Sequence, residues 1–206
     1  MFLERGFDAV RVAEVAEACG VSEKTDFNYF PTKESLILDR LESTVASLRA
    51  GLAEPGVPPV GAVLRILDGE LAAMTSWLAG QDDPVAAGAA VQRFGALIAA
   101  TPSLRAYQSD MLSQAVAVAA GILAGQAGAS ATDPEPQIAA TALLGLWRIQ
   151  FQGLAKYLDR TRTPAQVREA VTADVHRAAH LVSTGLNSLP GSAPGPSGRQ
   201  DTPAAS

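Results

Sequence analysis

The stretch RVAEVAEACGVSEKTDFNYFPTKESL, residues 11–36, sets the expectations for the whole chain. Residues 11–18 carry valines and alanines at helical spacing with glutamates between them, a pattern that predicts a short amphipathic helix. Gly20 suits the left-handed turn that follows a helix. Ser22 suits the N-cap of a second short helix, and Pro31 ends that helix because the residue before a proline avoids helical angles.

A third helix is predicted after the proline. Thr32 can cap it, Glu34 lies in its first turn where a negative charge is favourable, and leucines continue at helical spacing as far as Leu52. The order is helix, glycine turn, short helix, proline break and long helix. This is the layout of a helix-turn-helix, whose second helix enters the major groove of DNA.

The longer stretch FLERGFDAVRVAEVAEACGVSEKTDFNYFPTKESLILDRL, residues 2–41, resembles the DNA-binding head of the TetR/AcrR family of bacterial transcriptional regulators. The resemblance covers about forty residues and implies a helix-turn-helix head followed by a larger helical domain that binds a small molecule and dimerises. The matching positions are Arg5-Gly6-Phe7, Val12-Ala13-Glu14-Val15-Ala16, Gly20-Val21-Ser22, Thr25, Phe27, Tyr29-Phe30-Pro31, Lys33-Glu34 and Leu36.

Seven residues on and after the second short helix are the candidate DNA contacts. Short polar side chains and one lysine can point outward to base edges and phosphates, and Phe27 can contact a thymine methyl group. Tyr29 and Lys33 match family positions that touch phosphates, although Tyr29 could pack internally and Lys33 could be an ordinary surface lysine. The full set is Ser22, Lys24, Thr25, Phe27, Asn28, Tyr29 and Lys33.

Two features depart from the family pattern. Asp26 stands where the family has an apolar residue, and a buried unpaired carboxylate is costly. The family's first helix also continues upstream of the position of Met1, and residues 1–54 have a net charge of −4, from six Lys/Arg and ten Asp/Glu. Either the natural start lies upstream, or the protein lacks this helix and binds DNA poorly. We favour the first interpretation because Phe2, Leu3 and Phe7 keep the family spacing, as if the helix continued upstream.

The rest of the chain is predicted to be helical. Alanine and leucine, both good helix formers, are abundant, and prolines stand near most predicted helix starts. The predicted helices span 58–80, 84–100, 102–126, 134–160 and 164–188. Overall we expect an all-α fold with a helix-turn-helix head over 1–45, a ligand-binding and dimerisation domain over 46–189, and a disordered Pro/Gly/Ser-rich tail over 190–206.

The larger domain carries two looser signals. Apolar stripes on the last two predicted helices suit a four-helix dimer interface, which we favour over the alternative that they simply face the core of one chain. The interface candidates are Ile138, Val167, Val171, Val175, Val182 and Leu186. Large side chains with nearby arginines are the ligand-binding candidates. They are Trp77, Arg93, Phe94, Tyr107, Met111, Trp147, Arg148 and Phe151.

Residues 93–112 and 138–154 resemble effector domains of the acyl-CoA-like or mycofactocin-regulator-like type, on the pattern Arg-x-x-x-Leu-Ile-x-x-x-Pro-x-Leu-Arg. This resemblance implies an apolar or acyl ligand whose anionic group meets an arginine. Aromatic residues at helical spacing are also common in plain cores, so that alternative stays open.

Other classes of function find little support. His176 and His180 share a helix face at metal-ligand spacing but lack an evident third ligand, so no metal and no cofactor is predicted. No phosphate-binding loop or catalytic triad is present, so we predict that the chain is not an enzyme. A single cysteine, Cys19, and the absence of a signal-peptide or membrane-spanning pattern favour the cytoplasm.

The sequence therefore predicts a dimeric, ligand-responsive transcriptional repressor that binds a palindromic operator in double-stranded DNA and is released by a small apolar or acyl-type effector. The alternative is a helical small-molecule-binding or dimerisation protein whose head no longer binds DNA, because its first helix is incomplete and Asp26 is unfavourable.

Overall fold

The computed structural model describes residues 1–20, 30, 32–38 and 41–185, with the backbone alone at 41 and 42. Regular structure in these ranges is entirely α-helical, which confirms the predicted all-α fold. The second short helix, Asp26, Leu186 and the predicted tail lie outside the described residues. The helices are α1 (Phe2–Arg5), α2 (Val12–Ala18), α3 (Leu41–Leu52), α4 (Pro59–Ala79), α5 (Pro84–Ala100), α6 (Pro102–Ala127), α7 (Pro134–Tyr157) and α8 (Pro164–Thr184).

Proline fixes the start of each of the helices α4 to α8, as the sequence predicts for four of them. Proline is favoured at the first helical position because it has no N–H to leave unpaired and its φ already suits a helix. Two of these starts also carry side-chain caps. Asp83 Oδ1 accepts a hydrogen bond from the backbone N–H of Ala86 at 2.9 Å, and Thr163 and Gln166 form a reciprocal capping box.

The last two helices end earlier than predicted, and local backbone chemistry explains both ends. Helix α7 stops at Tyr157 instead of 160 because Asp159 Oδ1 accepts from the backbone N–H of Thr161 at 3.0 Å, and Arg160 adopts a left-handed φ of 67°. Helix α8 stops at Thr184 instead of 188, where Gly185 takes a φ of 80°.

The long helix predicted from Thr32 is also shorter than expected. Residues 33–37 form turns, and α3 begins at Leu41. Thr32 does act as a cap, since its Oγ1 accepts from the backbone N–H of Ser35 at 3.2 Å and the Ser35 Oγ accepts from the backbone N–H of Thr32 at the same distance. The predicted boundary at residue 45 lies inside α3, so this helix joins the head (residues 1–45) to the body (residues 46–185).

The hydrophobic core lies in the body, among α3, α4, α6, α7 and α8. Helices α7 and α8 approach so closely at Gly153 that a β-carbon there would lie 3.2 Å from Val171 Cγ2. Leu48 and Leu52 carry α3 into the same core. None of the helices in the described ranges is long and apolar enough to cross a membrane.

Candidate DNA- and effector-binding sites

The first turn of the head is held by a charged network around Glu14. Arg5 Nη2 donates to the carbonyl of Ala9 at 3.0 Å and to both carboxylate oxygens of Glu14 at 3.2 Å. The backbone N–H of Arg11 donates to Glu14 Oε2 at 2.8 Å. The Arg11 hydrogen bond, followed by the Arg5 guanidinium, holds the pKa of Glu14 below its ordinary value. This network connects the end of α1, the loop that follows it and the first turn of α2.

Lys33 is the one predicted DNA contact within the described residues. Its ammonium lies 4.4 Å from the centre of the buried Phe7 ring and donates to the carbonyl of Asp8 at 3.4 Å. The Phe7 ring stacks on that of Phe2, with centroids 5.7 Å apart. Lys33 therefore ties the turn at 32–38 to the loop between α1 and α2 by a cation–π contact. Its two other N–H groups have no hydrogen-bond partner among the described residues.

The other six predicted DNA contacts lie outside the described residues. They are Ser22, Lys24, Thr25, Phe27, Asn28 and Tyr29, and Asp26 lies among them. Their geometry therefore stays a prediction. The described part of the head does supply the elements on either side of them, α2 and the turn at 32–38.

Helix α3 is anchored to the body at its C-terminal end. Gln126 Nε2, on α6, donates to the carbonyl of Leu52 at 2.5 Å. Just beyond the helix, Glu54 Oε2 pairs with Arg65 Nη2, on α4, at 2.6 Å, and this hydrogen bond lowers the pKa of Glu54. Leu48 is fully buried. Helix α3 is therefore held to α4 and α6 at its C-terminal end, whereas its N-terminal end belongs to the head.

The eight predicted ligand-binding residues differ in burial and lie on several helices of the body. Trp147 is buried, and its Nε1 donates to Glu70 Oε2 at 3.0 Å. Trp77 is 50% exposed and Phe151 is 57% exposed. Arg148 is exposed, whereas Tyr107 and Met111 are half-buried on α6.

Arg93 and Phe94 are the two ligand candidates that share a described groove. This groove has a volume of about 590 Å³ and lies between α1, the turn at 32–38 and α5. Its other lining residues come from the head: Met1, Phe2, Leu3, Glu4, Leu36 and Ile37. The groove, called here the head–body groove, was not foreseen from the sequence, because its walls come from segments far apart in the chain.

Gln150 is a further residue that the sequence analysis missed. Its side chain is only 4% exposed, and no hydrogen bond joins it to another described residue. A buried amide without a partner is uncommon. The sequence does contain a signal for this position: Gln150 is a polar residue on the face of α7 that also carries the buried Trp147 and Leu154.

The dimer-interface candidates separate into two groups. Val167, Val171 and Val175 are buried in the core of this chain, among its own helices. Ile138 is 71% exposed and Val182 is partly buried. Both line a second groove of about 550 Å³ near the start of α7, called here the α7 groove. It is completed by Pro59, Val60, Leu123, Pro134, Glu135, Ala139, Ala142 and Leu143.

His176 and His180 are both exposed on α8. Across the described ranges, no group of three or more histidine, cysteine or acidic side chains is placed to hold a metal ion.

Several solved structures resemble the chain over most of its length. A TetR-family transcriptional regulator from Rhodococcus sp. is 21% identical, with 86% of this chain and 92% of that chain covered and a TM-score of 0.48. One from Mesorhizobium loti MAFF303099 is 19% identical, covering 87% and 90%, with a TM-score of 0.46. PfmR from Thermus thermophilus is 19% identical, covering 90% and 93%, with a TM-score of 0.43. No curated protein matches the chain.

Two family models match the sequence itself, and together they cover about two thirds of the chain. Residues 1–39 match the model for bacterial regulatory proteins of the TetR family. Residues 71–172 match the model for the MftR C-terminal domain. The chain therefore belongs to the TetR family of bacterial regulatory proteins, which are DNA-binding transcription regulators and not enzymes, and its effector domain is of the mycofactocin-regulator-like type.

Proposed function

We propose that this regulator is a cytoplasmic homodimeric repressor, released from its operator when a small apolar or acyl-type effector binds. The observation that carries the proposal is the anchoring of α3. This helix begins in the head and ends in the body core, where Leu48 and Leu52 are buried and Gln126 holds the last carbonyl. An effector that repacks the body therefore moves α3 and the head with it, provided that it binds the two arrangements with different affinity.

On the DNA side, the second short helix of each head would lie in the major groove. Ser22, Lys24, Thr25, Phe27 and Asn28 would read base edges and phosphates. Tyr29 and Lys33 would contact the backbone. Two heads related by a dyad suit a palindromic operator, because the symmetry of the site then matches that of the protein.

On the dimer side, we assign the interface to the α7 groove. Ile138 exposes a large apolar side chain at its rim, and Val182 lies in the same groove. The buried Val167, Val171 and Val175 would support this surface from behind by fixing α8 against the core.

Sedimentation velocity of matched variants tests the dimer. Ile138→Glu places a charge in the assigned interface and is expected to yield monomer. Phe151→Glu, at another exposed apolar position on the same helix, is the control and is expected to leave the dimer intact. A dimer that survives Ile138→Glu, or a wild-type monomer at micromolar concentration, would contradict the assignment.

The regulatory proposal is tested by fluorescence anisotropy on labelled DNA from just upstream of the protein's own gene. Decanoate and decanoyl-CoA serve as probes of the acyl class. We expect specific binding that at least one probe reverses. DNA binding that neither probe changes would contradict an acyl effector. Probe binding without any DNA binding would instead support the alternative, a ligand-binding protein with an inactive head.

A further inference from the structure

We infer that Gln150 is the polar contact for an uncharged carbonyl compound, an amide, ester or thioester of an apolar chain, bound inside the body beside α7. The inference rests on the proposed function in taking an acyl-type molecule as the effector. It adds the residue that recognises the polar group of that molecule, and it requires this group to carry no charge.

Gln150 differs from the other buried polar side chains in the described part of the chain, which are Ser35, Thr75 and Thr101. Each of these three hydroxyls donates to a backbone carbonyl three or four residues before it, at 2.6–2.9 Å. The Gln150 amide is only 4% exposed and has no such partner among the described residues, although it offers two donors and an acceptor. A buried polar group left unpaired costs stability, and departures of this kind are typical of functional positions.

Two contacts show which helices lie along this part of α7. One turn before Gln150, Trp147 Nε1 donates to Glu70 Oε2, on α4, at 3.0 Å. Beyond Gln150, the carbonyl of Ala155 accepts from Gln92 Nε2, on α5, at 3.2 Å. Gln150 therefore lies on the stretch of α7 between its contact with α4 and its contact with α5.

Helix α5 is the element that can part from α7 at low cost. The described linings of the two grooves do not include Gln150, so a ligand reaches it only when helices separate. Of the 17 residues of α5, only Gly88 and Ala89 are buried, and neither has a side chain larger than a methyl group. A helix that buries so little apolar side-chain surface opens more readily than the rest of the body.

The surroundings of Gln150 favour an uncharged polar group. Among the described residues, no buried side chain is cationic, so a carboxylate brought to Gln150 would stay unpaired at a high cost. Trp147, on the same face of α7, also holds the Glu70 carboxylate, which repels a second negative charge. An amide, ester or thioester carbonyl accepts a hydrogen bond from the Gln150 side chain without bringing a charge, and its apolar chain covers apolar neighbours such as Leu154.

Tryptophan fluorescence measures binding at this position. The chain has two tryptophans, so Trp77→Phe leaves Trp147, one turn from Gln150, as the reporter. Decanamide titrated into the full-length Trp77→Phe protein at neutral pH is expected to change the emission of Trp147 in a saturable way. Decanoate is expected to bind about tenfold more weakly or worse, because its charge must be buried unpaired. No saturable response to decanamide, or equal affinity for decanoate, would overturn the inference.

Two glutamine variants on α7 separate a ligand contact from a structural role. In the Trp77→Phe protein, Gln150→Leu is expected to weaken decanamide binding by about tenfold or more. It should also raise the Tm of the ligand-free protein, because an apolar side chain of similar volume replaces an unpaired amide. Gln152→Leu, at an exposed position of the same helix, is the control and should leave the affinity for decanamide unchanged.

Two results with these variants would overturn the inference. One is an unchanged affinity for decanamide in Gln150→Leu. The other is a lower Tm in both Gln150→Leu and Gln150→Met, because this would show that the amide has a structural partner in the ligand-free protein.

Decanoyl-CoA and decanoate separate this inference from the proposed function, since only the thioester presents an uncharged carbonyl. If Gln150→Leu abolishes the release of DNA by decanoyl-CoA, both are supported. If either probe releases DNA equally well from the wild-type and Gln150→Leu proteins, the Gln150 contact is overturned and the acyl-responsive repressor stands. If decanamide binds through Gln150 while neither probe acts on specifically bound DNA, the acyl effector falls and the contact stands.

Discussion

The close contact between Gly153 and Val171 predicts that Gly153→Ala destabilises the protein when residue 171 is valine and stabilises it when residue 171 is alanine. A β-carbon at Gly153 would lie 3.2 Å from Val171 Cγ2 and 3.3 Å from its Cγ1. Val171 is fully buried, and a β-branched side chain in a helix has one strongly preferred rotamer, so it cannot turn away. The strain of Gly153→Ala must therefore be relieved by moving α7 away from α8.

Two opposing contributions set the size of the effect. Replacing a helical glycine by alanine favours folding by about 1 kcal/mol. Overpacking a well-filled core costs about 1–3 kcal/mol. We therefore expect Gly153→Ala to lower the free energy of unfolding by about 1 kcal/mol.

The same change should become stabilising, by about 1 kcal/mol, in a Val171→Ala background, where the two γ-carbons are gone. The coupling between the two positions is then about 2 kcal/mol. Gly121→Ala, on α6, is the control, because no neighbouring side chain or helix in the described ranges lies within 4 Å of the place that its new β-carbon would take.

Urea unfolding followed by circular dichroism, at one fixed protein concentration, measures all four proteins of the cycle and the control. Gly121→Ala should stabilise the protein by about 0.5–1 kcal/mol. If Gly153→Ala stabilises the wild-type protein as much as Gly121→Ala does, or if the cycle shows no coupling, the close packing of α7 on α8 is not as described.

Three further predictions follow from single contacts. Leu48→Ala removes a fully buried side chain from α3 and should lower the free energy of unfolding, measured by urea titration, by about 2–5 kcal/mol. A loss below about 1 kcal/mol would argue against the anchoring of α3. Thr163→Ala removes the capping hydrogen bond of α8 and should cost about 1 kcal/mol, seen as a lower Tm; an unchanged Tm would refute the cap. Because the pKa of Glu14 is depressed in the folded protein, its contribution to stability is present above the ordinary pKa of 4.5 and is lost as the pH falls through the folded-state pKa. The Tm difference between the wild-type protein and Glu14→Gln should therefore shrink from neutral to strongly acidic pH, and a constant difference would contradict the network.

Most helices of the body could be predicted from the sequence, because the residues that begin a helix act on the backbone at their own position. Pro84, Pro102, Pro134 and Pro164 begin their helices where the sequence predicts. The missed ends were also local but weaker: the turn made by Asp159 and the left-handed Gly185 stop α7 and α8 early. The apolar pattern of the sequence extends beyond the C-terminal ends of both helices, so periodicity alone predicts helices that are too long.

The sites were harder to predict, because they depend on contacts between distant segments. Val171 on the apolar stripe of α8 fits a dimer interface and a core equally well on periodicity, and only the packing against Gly153 assigns it to the core of its own chain. Arg93 and Phe94 share a groove with Phe2 and Ile37, which belong to the head, and no spacing rule in the sequence connects these residues to α5.

Specific DNA binding tests the central claim most directly. The full chain is titrated onto labelled DNA from upstream of its own gene, beside a scrambled fragment of equal length, at several salt concentrations. A functional head predicts a preference for the upstream fragment and an affinity that falls steeply with salt, as phosphate contacts require. Equal, weak binding to both fragments even at low salt would contradict the claim that this protein is a working DNA-binding regulator.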